Sequence, residues 1–401
     1  MLTEALTLQL GYNATLVALG AMFLGVAAGV TGTFLFLRKR ALVSDAISHA
    51  TLPGVGLAFM IMVAFGGDGR NLLGLLLGSA LSASFGLLCI GWLTRRTRLA
   101  EDAAIGAVLS VFFGFGIVLL TIIQTMRVGQ QAGLEGFLLG STAGMLWNDA
   151  VIIAVGGALT LAVVIALRRP MTLVAFDPEY AAARGLNVAR VDLAIMGLAM
   201  AVTVVGLKIV GLILIVAMLI IPPVAARFWS ERTDHVALIA GGIGGASAYI
   251  GAGLSAVAPA LPTGPIIVLV SFATFLISLL LAPGRGVLAA VLRHRRFQRR
   301  VHIRQGLLAL AQGQPIYERY TLRLLQRAGL VEADGVATET GRARAAKALR
   351  DEARWALVRS DQALEGAAAL YDGLRDLETV LTMDQITEID RRIGAPQGVA
   401  L

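Results

Sequence analysis

Asp45 and His49 stand four residues apart in the run Leu37-Arg-Lys-Arg-Ala-Leu-Val-Ser-Asp45-Ala-Ile-Ser-His49-Ala-Thr-Leu-Pro53-Gly54. On a helix this spacing puts both side chains on one face, where a carboxylate and an imidazole can share an ion. A mixed oxygen and nitrogen pair suits manganese, ferrous iron or zinc, with no thiolate to select a softer ion. Two ligands do not complete a coordination sphere, so waters or a second chain must add the rest. Plainer roles use the same residues. Asp45 could cap a helix through backbone N–H groups, and His49 could donate to a carbonyl in a packed interface. The pair stands at the mouth of an apolar run, where both groups are costly.

The elements that must position this pair follow from composition. Of 401 residues, 57% are hydrophobic and only 15% charged, with a mean hydropathy of +0.78. Soluble domains carry about 25% charged residues, so an ordinary soluble enzyme is excluded. Apolar runs fall near 12–37, 47–65, 71–94, 102–123, 149–168, 191–207, 209–228, 235–257 and 264–282, nine candidate membrane spans. Crossing a ~30 Å hydrocarbon core takes about 17–25 such residues. One set of connections holds Arg38, Lys39 and Arg40; Arg95, Arg96 and Arg98; Arg168, Arg169, Arg184 and Arg190; then Arg227 and Arg232. The other holds only Arg70, Arg127 and Lys208. The positive-inside rule then puts the N-terminus outside and the C-terminus in the cytoplasm. Residues 191–228 could be one long kinked helix, which would leave eight spans, but that parity favours a tight external hairpin around Gly206, Lys208 and Gly211. Residues 130–147 read as an external or re-entrant helix.

Glycines are spread through the spans, as at Gly25 and Gly29 and through Gly241–Gly245. Small residues let helix backbones approach closely in lipid. Cys89, the only cysteine, is an apolar packing residue with no internal disulfide partner. None of the lysines (Lys39, Lys208 and Lys347) follows a glycine, so the chain has no Gly-Lys-Ser/Thr phosphate loop. Any ATP hydrolysis belongs to another chain. Residues Asp177 to Leu186 form a charged, helix-prone cytoplasmic stretch with a helix stop at Gly185. A short helix outside the membrane is something an ATPase subunit could grip.

Asp45-Ala-Ile-Ser-His49-Ala-Thr-Leu-Pro53-Gly54 resembles the signature of the manganese/zinc/iron-type ABC permeases. Further matches follow in the family's order: Glu101-Asp102-Ala-Ala-Ile-Gly106, Phe137-Leu-Leu-Gly-Ser141, Phe176-Asp177-Pro-Glu-Tyr-Ala-Ala-Ala-Arg184-Gly185, Lys208-Ile-Val-Gly211, Ala217 to Ala226, and Pro262-Thr-Gly-Pro265. The resemblance covers about residues 10–285. It implies that Asp45 and His49 are metal ligands in the pathway. It also implies that Asp177, Glu179, Arg184 and Gly185 belong to the helix that couples to an ATPase. Elsewhere, Asp102 suits the dipole of a helix start, and Glu135 and Lys208 face outside, where solvation explains them as well as a delivery protein does.

Beyond Pro283-Gly-Arg-Gly286 the composition changes. A basic run, Arg293 to Arg300, leads into about a hundred charged, soluble-looking residues. Helices over 301–329 and a hairpin over Leu330–Thr338, turning at Asp334-Gly335, resemble a winged helix. Leu377 to Thr382 and Ile389 to Gly394 resemble the dimerisation segment of diphtheria-toxin-repressor-type regulators. The likeness departs at the metal ligands. Thr379 follows Glu378 where that family has a histidine, and the other ligand positions fall on Arg375 and near Glu352 and Ala356. Only Glu378 survives as a plausible ligand. Residues 293–304 hold six arginines and no acid, whereas from Gln305 onward 12 Lys/Arg face 14 Asp/Glu. That balance is a poor footprint for DNA, so the tail is not expected to read it. The basic run suits anionic membrane lipid instead.

The expected protein is an all-α polytopic membrane protein of about nine transmembrane helices, with a small cytoplasmic winged-helix-like α+β domain. Its parts are a permease domain (1–285), a basic juxtamembrane linker (286–304) and a cytoplasmic domain (305–401). It is expected in the bacterial cytoplasmic membrane as the non-enzymatic subunit of an ABC importer of divalent metal ions. The expected partners are an ABC ATPase subunit that uses ATP, a second permease chain, an extracytoplasmic metal-binding protein and membrane lipid. Two rivals are a secondary metal carrier, whose usual buried carboxylates these spans almost lack, and a membrane-tethered metal-responsive regulator.

Overall fold

The computed structural model describes residues 12–67, 69, 71–126, 147–257 and 261–394. The chain divides after Ala289 into two compact units. The first is built from helices that the apolar runs dictate: α1 (Tyr12–Leu37), α2 (Ala41–Ala64), α3 (Leu72–Arg96), α4 (Glu101–Thr125), α5 (Trp147–Phe176), the short α6 (Pro178–Ala183), α7 (Val188–Arg227), α8 (Thr233–Val257) and α9 (Thr263–Leu281). Among the described residues, eight helices are long and apolar enough to cross a membrane. The expected ninth span is a shorter apolar helix, Leu214–Arg227, joined to Val188–Leu207 across a break in α7.

That break is sharp. Gly211 has φ 73° and ψ 173°, a conformation open to glycine and strained for other residues. The Ile215 side chain lies against Gly206, although nine residues of straight helix would span ~13.5 Å. The chain therefore bends sharply here, so that residues 188–227 form two helical pieces across a kink at Gly211. The Lys208 side chain, Arg70, Arg127, Glu135 and the 130–147 segment up to Leu146 lie outside the described residues.

Helix α1 runs through the middle of the first unit, packed by α8, α7 and α5. Its glycines explain how closely. A Cβ on Gly25 would collide with the Gly244 carbonyl, one on Gly29 with the Ala240 carbonyl, and one on Gly32 with the Leu219 carbonyl. Backbone meets backbone at three successive turns, the close approach that drives association in lipid. Large apolar side chains such as Leu77, Leu81, Phe85 and Trp92 on α3 are exposed, as a face in contact with lipid acyl chains requires.

The second unit is also helical: α10 (Val287–Ala311), which crosses the division, α11 (Arg319–Arg327), α12 (Glu339–Ser360) and α13 (Met383–Ile393) are its longer elements. One small core gathers Leu307, Leu325, Leu330, Val331 and Ala345, and another gathers Trp355, Val358, Leu377, Leu381, Ile386 and Ile389. The expected winged-helix-like α+β domain is not present. The Asp334-Gly335 turn forms, with Glu332 N–H bonded to Val336 O at 2.8 Å and Thr338 N–H to Leu330 O at 3.1 Å. Yet only an isolated bridge, Val331 to Ala337, follows, and the described residues contain no strand. The reason is length. Helix α11 ends at Arg327 and Thr338 already caps α12, which leaves each arm too short for a ladder.

The tail's charges are spent on each other. Arg354 meets Asp390 at 2.6 Å and Asp351 at 2.9 Å. Burial pushes the Glu352 carboxyl up, but hydrogen bonds from Arg304 and Tyr371, with the charges of Arg304 and Arg359, outweigh it and hold it below the usual range. Glu378, the surviving ligand candidate, pairs with Lys347 at 3.7 Å in an exposed position.

Candidate metal site and coupling helix

Helix α2 begins at Ala41 with Arg40 in the capping position, so Asp45 lies inside the helix and does not cap it. The i, i+4 spacing brings His49 Nε2 to 3.5 Å from Asp45 Oδ1. The pair is half-open, with side-chain exposures of 25% for His49 and 40% for Asp45. His49 packs edge-on against the Phe113 ring of α4, centroids 4.9 Å apart. That contact orients the imidazole without using its nitrogens. The Nδ1 atom is buried and has no hydrogen-bond partner. Asp45 therefore does not cap α2, and His49 Nδ1 donates to no carbonyl.

The surrounding sequence keeps the pair accessible. Ser44, Ser48 and Thr51 turn their hydroxyls back onto α2 carbonyls. They therefore satisfy themselves and leave the pair as the polar feature of this stretch of helix. Pro53 has no N–H to return to the carbonyl of His49 four residues before it, so the turn above the pair lacks one helical bond. Beside that turn opens a groove of about 710 Å³ lined by Pro53, Leu57, Leu81, Phe85 and Phe115 among others. These side chains offer no ligand. No group of three or more His, Cys, Asp or Glu residues converges among the described residues. Among the described residues the pair therefore stands as two side chains with no third such group beside them.

The second constellation folds as a separate short helix. Asp177 caps α6, its Oδ1 accepting the Tyr180 N–H at 2.8 Å, and Pro178 opens the helix with a φ already suited to it. Glu179 lies in the first turn and Arg184 closes the last. Gly185 follows at φ 83°, with its own N–H on Ala182 O and the Leu186 N–H reaching Ala181 O at 3.0 Å. Asn187 then caps α7, its Oδ1 accepting the Arg190 N–H at 3.1 Å. The result is a hydrogen-bonded elbow that joins α6 to α7. Tyr180 is half exposed and Ala181 is buried, so α6 has an inner face on the bundle and an exposed outer face.

Charge-pattern reading missed one feature. Arg38, Arg40, Glu101 and Asp192 form a linked cluster, and Asp192 is 8% exposed. Arg38 Nη2 is 2.7 Å and Arg40 Nη1 is 3.1 Å from Asp192 Oδ2, while Arg40 Nε is 2.8 Å from Glu101 Oε1. Arg38 and Arg40 were read only as topology markers. The available signal was Asp192 itself, a carboxylate inside an apolar run.

The manganese transport system membrane protein MntC of Bacillus subtilis is 42% identical over 318 residues, covering 79% of this chain and 71% of the relative. The zinc transport system membrane protein TroC of Treponema pallidum is 38% identical over 285 residues, 71% of this chain and 94% of the relative. The structure of PsaBC from Streptococcus pneumoniae in complex with Fab superposes with a TM-score of 0.61 at 28% identity, covering 71% of this chain and 98% of that one. A match to the ABC 3 transport family runs from residue 12 to 282, through every membrane helix, the Asp45–His49 pair and α6, and the chain belongs to that family.

Proposed function

We propose that this chain is the membrane permease subunit of an ATP-driven importer of divalent transition metal ions. The observation that carries it is the Asp45–His49 pair: a partly exposed carboxylate 3.5 Å from an imidazole Nε2 on one face of a membrane helix. Asp45 supplies the negative charge that offsets a desolvated cation, and His49 supplies a nitrogen of intermediate softness. Relatives named for manganese and for zinc transport support a cargo of this class.

In this reading two permease chains bring their half-sites to a common pathway. An extracytoplasmic metal-binding protein delivers the ion, and separate ABC ATPase chains drive the cycle against α6. The N-terminus lies outside and the tail in the cytoplasm, which puts Asp45 near the inner face, because Arg38 to Arg40 immediately precede its helix. The basic run Arg293–Arg300 rests on anionic lipid, at about 1 kcal/mol per arginine near the surface. The tail acts within the assembly and not on DNA.

The test is accumulation of manganese, zinc and ferrous iron in cells with and without this chain, repeated with the partner ATPase inactivated. Loss of one metal's uptake in both strains is expected. Uptake that persists without the ATPase would point to a secondary carrier instead.

A further inference from the structure

The cluster centred on Asp192 sits between the two constellations. Asp192 belongs to the second turn of α7, the helix that continues from α6 through the Gly185 elbow. Arg40 immediately precedes α2, five residues before Asp45. It is held there by a second tight elbow, in which the Arg40 N–H bonds to Leu35 O at 2.9 Å and Lys39 adopts φ 58°. Arg38 opens the same elbow and also donates to Val174 O near the end of α5 at 3.0 Å. One carboxylate thus ties the helix after α6 to the helix that carries the candidate metal ligands.

The way the cluster is bonded separates it from a static staple. A carboxylate between two guanidiniums can use both oxygens, and bidentate pairing is the strong arrangement. Here both arginines meet Asp192 through Oδ2 alone. Asp192 Oδ1 and Arg38 Nε are buried without partners. Buried polar atoms are otherwise nearly always satisfied. The unused Asp192 Oδ1 and Arg38 Nε leave a bidentate pairing available to this cluster that the present geometry does not make.

We propose that Asp192 is a positioning residue that transmits motion of the α6 elbow to α2, so that Arg40 shifts the Asp45–His49 helix when the ATPase moves α6. This rests on the reading of α6 as the ATPase contact. It adds that coupling runs through this one carboxylate, with Glu101 holding Arg40 from the α4 side.

The experiment uses the full transporter, permease with its ATPase and metal-binding protein, reconstituted in liposomes with manganese as the probe. Asp192→Asn keeps size and removes the charge. The readouts are manganese transported per ATP hydrolysed and a disulfide crosslink from Tyr180→Cys to the ATPase. We expect the crosslink and ATP hydrolysis to persist while transport per ATP falls at least tenfold, and Asp192→Glu to restore it to within threefold. Should Asp192→Asn not assemble, Arg40→Gln breaks the same path from the α2 side with the same expected fall. A normal crosslink with transport per ATP within twofold of wild type would overturn the proposal and leave the α6 reading standing. A proportional fall in transport and hydrolysis would mean a merely structural role and would also overturn it. Absence of the crosslink in every variant would remove the α6 reading and the proposal together.

Discussion

Replacing Asp45 by asparagine is the most informative single change to the candidate site. It leaves the size of the side chain and one oxygen donor in place and removes only the negative charge. The exposure of Asp45, 40% of its side chain, argues for water-like screening. A divalent cation ~2.2 Å from a unit charge at a dielectric constant of ~80 then loses about 3.8 kcal/mol, or roughly 600-fold in affinity. The carboxamide oxygen recovers part of that, so the expected loss is at least ~100-fold, or about 2.7 kcal/mol. Stability should hardly move, because the partly exposed Asp45–His49 pair is worth under ~1 kcal/mol to folding. The assay is equilibrium binding of radioactive manganese to the reconstituted transporter, with thermal unfolding as a parallel control. Asp102→Asn removes an exposed acid from the first turn of α4 and should bind as wild type does. Affinity within threefold of wild type for Asp45→Asn would refute the ligand assignment. A large fall in unfolding temperature would show instead that the pair is structural.

Three further outcomes follow from the geometry. Gly244→Leu puts atoms into the Gly25 backbone of α1, which cannot yield, whereas Gly242 has open space around it. The first should lose more than the ~1–3 kcal/mol typical of overpacking and the second almost nothing, as read by thermal unfolding in detergent; equal melting would discount the α1–α8 contact. In a Cys89→Ser background, Tyr180→Cys should crosslink to the ATPase, and crosslinking only from 38–44 or 227–234 would move the coupling site. The hydrogen bond from Arg354 holds the Asp390 carboxyl below its usual range, against burial, with the charges of Arg354 and Arg350 also lowering it. Its stabilisation is therefore present above the unfolded value of about 3.9 and is lost as pH falls through the lower folded value. Hydrogen exchange of the α12 and α13 amides in the full chain should speed up on acidification into that window, and Asp390→Asn should remove that part of the change.

Much of this protein is legible without coordinates. Membrane helices declare themselves because an apolar run long enough to span hydrocarbon marks a candidate span. The Asp45–His49 pairing needed only helical periodicity, and the α6 elbow only Asp177, Pro178 and Gly185. Local chemistry decided each of these. What sequence could not decide was contact between distant segments. Arg38 and Arg40 lie 154 and 152 positions before Asp192, which they share, and Glu101 joins them from another helix. Periodicity says nothing about such partners. The tail shows the converse limit. Its turn residues formed the expected turn, but whether two arms become strands depends on how much chain the flanking helices leave between them. Helices α11 and α12 left room for one bridge, and tertiary packing of those helices, not turn propensity, set that length.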